Sequence, residues 1–212
     1  MKLRAVVGFA SVALVLTACG SSPSHVGVAA HVGDRVVTNK EISEQVNQVR
    51  SDIQMLPADK VQSPPSVQML SAMTIHRIVM NDIIDAAIKD KGLSITDADV
   101  KAFEENVFTQ YGKEAVLIQV LTNNGVPLSQ VHDFMRNILV ENILGKELAP
   151  SGDQNAQTAA LVKYLGEVSN KLGIEIAPRF GKWSTETLQP TGSDDVLSSL
   201  NPTAQKSAQT QQ

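Results

Sequence analysis

The sequence predicts a mainly α fold carrying a small β-hairpin that a C-terminal strand joins. Three observations lead there: apolar residues recur every three or four positions through most of the chain, short β-branched runs occur only near 26–37 and 174–176, and Pro, Gly and Asn separate the periodic stretches. The 212 residues, 42% apolar, suffice for one ordinary core or two small lobes.

Lys2 and Arg4 precede an apolar run from Ala5 to Leu16. That run is shorter than the ~20 residues a membrane-spanning helix needs, so it reads as an export signal. It ends Leu16-Thr17-Ala18-Cys19, which looks like a bacterial lipobox, the thiol of Cys19 being the site of lipid attachment. Residues 1–18 are then the signal peptide and 19–25 a flexible tether, and two acyl chains give a stable anchor where one binds reversibly. Cys19 is the single cysteine, which leaves no disulfide framework and no thiol nucleophile in the folded region. The expected location is the cell membrane, lipid-anchored, on its extracytoplasmic face.

Next, Gly33-Asp34 between two valine-rich runs reads as a two-residue hairpin turn with Gly at a type II′ first position. Thr38-Asn39-Lys40-Glu41 fits a capping box opening a helix whose stripe is Ile42, Val46, Val49, Ile53 and Leu56. After Pro57 and Ser63-Pro64-Pro65-Ser66 comes the longest helix, Val67 to Lys91, closed by Gly92. It is apolar on so broad a side that it must pack against several others. Thr96-Asp97-Ala98-Asp99 starts a helix through Tyr111, Glu114–Leu121 a short one stopped by Asn123-Asn124-Gly125, and Leu128–Leu148 another long one. A final helix bears Leu161, Leu165, Val168 and Leu172. Ile174-Glu175-Ile176 alternates as a strand, expected to continue through Phe180 to Trp183. From there the polar composition leads us to expect a folded region of 26–189 and a disordered tail of 190–212.

The order of these pieces resembles the chaperone domain of SurA-like proteins. It rests on the hairpin followed by a capped helix, the Leu-Ser-Ile-Thr-Asp-Ala-Asp-Val stretch at 93–100, Gly-Val-Pro-Leu-Ser-Gln-Val-His-Asp-Phe-Met-Arg-Asn-Ile-Leu at 125–139, and Ile-Ala-Pro-Arg-Phe-Gly-Lys-Trp at 176–183. The resemblance implies a helical SurA/trigger-factor-type chaperone domain, its amino-terminal part completed by a C-terminal helix and strand. Many members carry a parvulin prolyl-isomerase domain between the two parts. Here that place holds only Ala149–Gln154, far short of the ~50 residues a folded domain requires.

Charge and motifs narrow the function further. Eighteen basic against 22 acidic residues, with 4% aromatic, give no basis for nucleic-acid binding. No phosphate-binding loop, Gly-x-Ser-x-Gly elbow or His-Glu-x-x-His occurs, so neither an enzyme nor a cofactor is expected. His25, His31, His76 and His132 are scattered, and Glu104-Glu105 and Asp194-Asp195 read as solvated surface. Met69, Met73, His76 and Met80 fall at i, i+4, i+7 and i+11, one face of the longest helix. That stripe suits core packing or a surface for client segments, methionine being flexible and polarisable, and less readily a soft ion such as Cu(I). The expected function is an ATP-independent holdase for unfolded exported proteins, held at the membrane through Cys19. The alternative is a structural or adaptor lipoprotein with one dedicated partner, and a prolyl isomerase ranks below both. A concave, largely apolar surface favours the chaperone, and a flat patch with aromatic anchors the adaptor.

Overall fold

The computed structural model describes residues 27–57, 59–61 and 63–192. The signal, Cys19, the tether and residues 193–212 lie outside the described residues. Strand β1 (Val28–Val32) turns through Gly33, at φ +55°, into β2 (Arg35–Thr38), with Asp34 not at positive φ, which suits the type II′ turn. Six helices follow: α1 (Asn39–Gln54), α2 (Val67–Lys91), α3 (Asp97–Tyr111), α4 (Lys113–Asn124), α5 (Val131–Leu148, entered through a 3-10 turn at Leu128–Gln130) and α6 (Gln154–Leu172). The chain returns as β3 (Ile174–Ile176), which pairs antiparallel with β1, so the sheet order is β2-β1-β3. The expected mainly α architecture with a C-terminal strand joining the hairpin is therefore what the chain adopts. Residues 149–153 alone link α5 to α6.

Local chemistry sets these boundaries, with two departures from the sequence reading. At α1 only half of the capping box forms: the Thr38 hydroxyl accepts from the Glu41 amide at 3.1 Å, but the Glu41 carboxylate turns outward to Arg35 at 2.7 Å. The complete box is at α3, where Thr96 and Asp99 cap each other reciprocally. The second departure is after β3. Phe180–Trp183 does not extend that strand, because Pro178 opens a 3-10 turn (Pro178–Phe180) and Gly181 at φ +89° redirects the chain. Strand β4 (Lys182–Ser184) then pairs with β5 (Gln189–Thr191) in a separate hairpin. The fold thus runs beyond position 189, and Pro190, expected in the disordered tail, is buried in β5.

The larger core joins the inner face of β1 and β2 to α1, α2 and α6. Ala29, Val37, Val49, Leu70, Ile75, Val79, Ile83 and Ala87 within it are wholly enclosed. A second, smaller core lies between α3, α4 and the start of α5, built on Val100, Val116, Val120, Val126, Val131 and Met135. Buried Asp52 ties α1 to the base of α5, its carboxylate accepting from Gln48 Nε2 at 2.9 Å and the Leu128 amide at 2.7 Å. Such a buried carboxylate persists because both its oxygens are satisfied.

Candidate functional site

Ser66 accepts from the Met69 amide and Gly92 closes the far end in the left-handed region, which fixes the register of α2. That register gives α2 two unlike faces. Ile75, Ile78, Val79 and Ile83 turn to the core, whereas Met73, His76, Arg77, Met80, Asn81 and Ile84 line a hollow of about 300 Å³. Three of the four residues of the Met/His stripe are therefore brought to one cavity. Met69 is the exception: it packs against the larger core and is absent from the cavity wall. Met73 does both, being 4% exposed within the core.

The opposite wall is α5, whose Phe134, Asn137, Ile138 and Glu141 share a face at i, i+3, i+4 and i+7. Asn123 and Asn124 close one side at the end of α4. The turn after them brings Gly125, at φ +58°, so close to α2 that a Cβ there would stand 3.0 Å from Met73 Cβ, so glycine is needed for both reasons.

The third wall is the β4–β5 hairpin, through Gln189 and Pro190. Its turn holds Leu188 at φ +54°, a conformation that costs a branched residue about 1 kcal/mol or more. Three contacts hold it there. The His76 ring donates through Nε2 to the Leu188 carbonyl at 3.0 Å, Trp183 Nε1 donates to Ser169 Oγ at 2.8 Å, and the Leu188 side chain is only 5% exposed. Gly166 on α6 completes the seat, since a Cβ there would lie 2.4 Å from the Thr185 carbonyl.

Three titratable groups face the hollow, and burial dominates each. It lowers the pKa of His76, the Leu188 carbonyl opposing, and so keeps the ring neutral near pH 7. It lowers Arg77 to about 10, although Glu41 acts in the other direction. The two terminal nitrogens of Arg77 donate to Gln130 and Gln45, while its buried Nε has no partner among the described residues. Glu141 is raised to about 7 by desolvation alone, and among the described residues no side chain forms an ion pair or hydrogen bond with it. The carboxamides are partly engaged: Asn137 Nδ2 donates to Asn81 Oδ1 at 2.6 Å.

A second hollow lies over the smaller core, lined by Phe103, Val107 and Tyr111 of α3, Ala115, Val116, Gln119 and Val120 of α4, and Phe134, Met135 and Ile138 of α5. Asn124, Phe134 and Ile138 form the wall common to both hollows. Tyr111, 64% exposed, stands at the rim.

Glu104, expected as plain solvated surface, instead joins a surface cluster. His132 of α5 faces Asp97 through Nε2 and Glu104 through Nδ1, each at 3.1 Å. The i, i+7 spacing of Asp97 and Glu104 on α3 was the readable signal for this cluster. The two carboxylates flank opposite edges of the ring and do not converge. No group of three His, Cys, Asp or Glu side chains among the described residues is arranged to hold a metal ion. Sequence reasoning also missed Glu141, the one acid on the Phe134–Ile138 stripe, and the hairpin wall. No protein-family profile, curated protein or solved structure matches the chain.

Proposed function

We propose that the protein is an ATP-independent chaperone of the cell envelope, anchored through lipidated Cys19 and holding extended segments of unfolded exported proteins. The observation that carries this reading is the pair of adjoining hollows with the shared Phe134–Ile138 wall. Half-buried Met80, Phe103, Val107, Phe134 and Ile138 offer apolar surface, and burying it contributes roughly 25 cal/mol per Å² without demanding a particular sequence. Asn81, Asn123, Asn124 and Asn137 add carboxamides, each with a donor and an acceptor, the same pair of groups that a peptide backbone presents. Concave, mixed walls of this sort suit an irregular polypeptide better than a flat patch with a few aromatic anchors, which favours the chaperone over an adaptor. The SurA-like order of the helices points the same way.

An aggregation assay tests the reading. The purified protein at several-fold molar excess is expected to slow light scattering of a chemically unfolded envelope protein, and Ile138→Trp, which fills the shared wall, is expected to weaken that protection. Unchanged scattering with the native protein overturns the proposal.

A further inference from the structure

We propose that the hollow between α2 and α5 is a receptor for a cationic side chain, Lys or Arg, of the bound segment, with Glu141 as its counter-ion. This deepens the chaperone reading and rests on it. Glu141 projects from α5 on the same stripe as Phe134 and Ile138, a place where local packing calls for an apolar residue. The carboxyl is half-buried there with no side-chain partner among the described residues, so a cationic group entering the hollow would meet an acid that no neighbouring cation neutralises.

Among the described residues no group supplies that compensation. The other titratable groups on the wall are His76, neutral and bonded to Leu188, and Arg77, whose terminal nitrogens are engaged by Gln45 and Gln130; both belong to α2. The end of α4 contributes Asn123 and Asn124 and the hairpin Gln189 and Pro190, none of which titrates. The rest of the wall fits the stem of a long basic side chain. Half-buried Met80 supplies a thioether and Phe134 an aromatic ring in the wall, and the carboxamide oxygens are further acceptors. The volume, about 300 Å³, lies at the small end of ligand sites and suits one side chain rather than a folded partner. After removal of residues 1–18 the chain carries 16 basic and 22 acidic side chains, a net charge of −6, so the long-range field attracts basic segments as well.

Fluorescence anisotropy with two apolar peptides of about a dozen residues tests this, one with arginine at its centre and the other with citrulline, its neutral isostere. At pH 8 the arginine peptide is expected to bind the native protein about tenfold more tightly. In Glu141→Gln the two peptides are expected to bind within about twofold of each other, the citrulline peptide binding as it does to the native protein. Glu105→Gln, an exposed acid on α3, controls for net charge and is expected to keep the preference. Equal affinities for the native protein, or a preference surviving in Glu141→Gln, overturn the inference and leave the chaperone reading standing. Binding of neither peptide overturns both.

Discussion

The two faces of α2 were built from the same helix and do opposite things. The inner face, Ile75, Ile78, Val79 and Ile83, is β-branched throughout and at most 2% exposed. The outer face substitutes Met73, His76, Met80 and Asn81 at the equivalent turns and leaves a hollow beside them. Branched side chains have few rotamers, so they lose little entropy on packing and define one arrangement. Methionine has three soft torsions, so a wall made of it can accept differently shaped occupants. The difference separates what holds the fold together from what the fold offers to a ligand.

The largest expected effect comes from breaking the packed face. Ile78→Ala removes a side chain that is 2% exposed and is expected to cost about 3 kcal/mol in urea unfolding, the usual range for a truncation that leaves a void. Met80→Ala only widens an existing hollow and is expected to cost about 1 kcal/mol. Equal costs at the two positions would show that the faces do not differ as argued.

Gly166→Ala tests the hairpin wall. With the Thr185 carbonyl 2.4 Å from the new methyl, the hairpin must lift, and a loss of about 2 kcal/mol is expected. Trp183 is the single tryptophan, so its emission should move to the red as its bond to Ser169 breaks. An unshifted spectrum with native stability would mean that the close approach is easily relieved.

How much of this was legible in the sequence follows from the range of the interactions. The bounds of α2 came from Ser66 and Gly92, and its ligand face from spacing within one helix, both local signals. The capping box was read at Thr38 and found at Thr96, because Arg35, across the hairpin and near Asp82, captures the Glu41 carboxylate. Glu141 meets α2 only through packing of helices some 60 residues apart, which no local pattern reports, although an acid at i+7 from Phe134 on an apolar stripe was a visible anomaly. The strand at Gln189–Thr191 was hidden by polar composition, since its stability comes from pairing with β4 and from buried Leu188 rather than from its own side chains.

Glu141 sharpens the comparison from the ligand side. Its folded pKa of about 7 exceeds the ordinary carboxyl value of 4.5, so its contribution to stability is fully present below about pH 4.5 and is lost as pH rises through 7. Glu141→Gln is therefore expected to stabilise the protein by about 2 kcal/mol at pH 8, allowing for water entering the hollow, with the gain vanishing near pH 4.5. Urea midpoints of the two proteins across that range decide it. A destabilised variant at pH 8 would show that the carboxylate has a structural partner.

The smallest effect lies on the same wall and has the opposite sign. Burial holds His76 below its ordinary 6.5, so its contribution is present above that value and declines as the unfolded chain takes up a proton at lower pH. As pH falls from 7 to 6 His76 therefore loses stability, while over the same interval Glu141 regains it. In the native protein the two titrations oppose each other between pH 6 and 7. Removing one exposes the other: Glu141→Gln is expected to lose stability on acidification from pH 7 to 6, whereas His76→Gln is expected to gain it. Glutamine at 76 keeps a donor for the Leu188 carbonyl, so the slope rather than the absolute stability is the quantity to compare. Parallel slopes in the two variants would mean that the cavity wall is wetter than its burial indicates and that Glu141 is already solvated without a ligand.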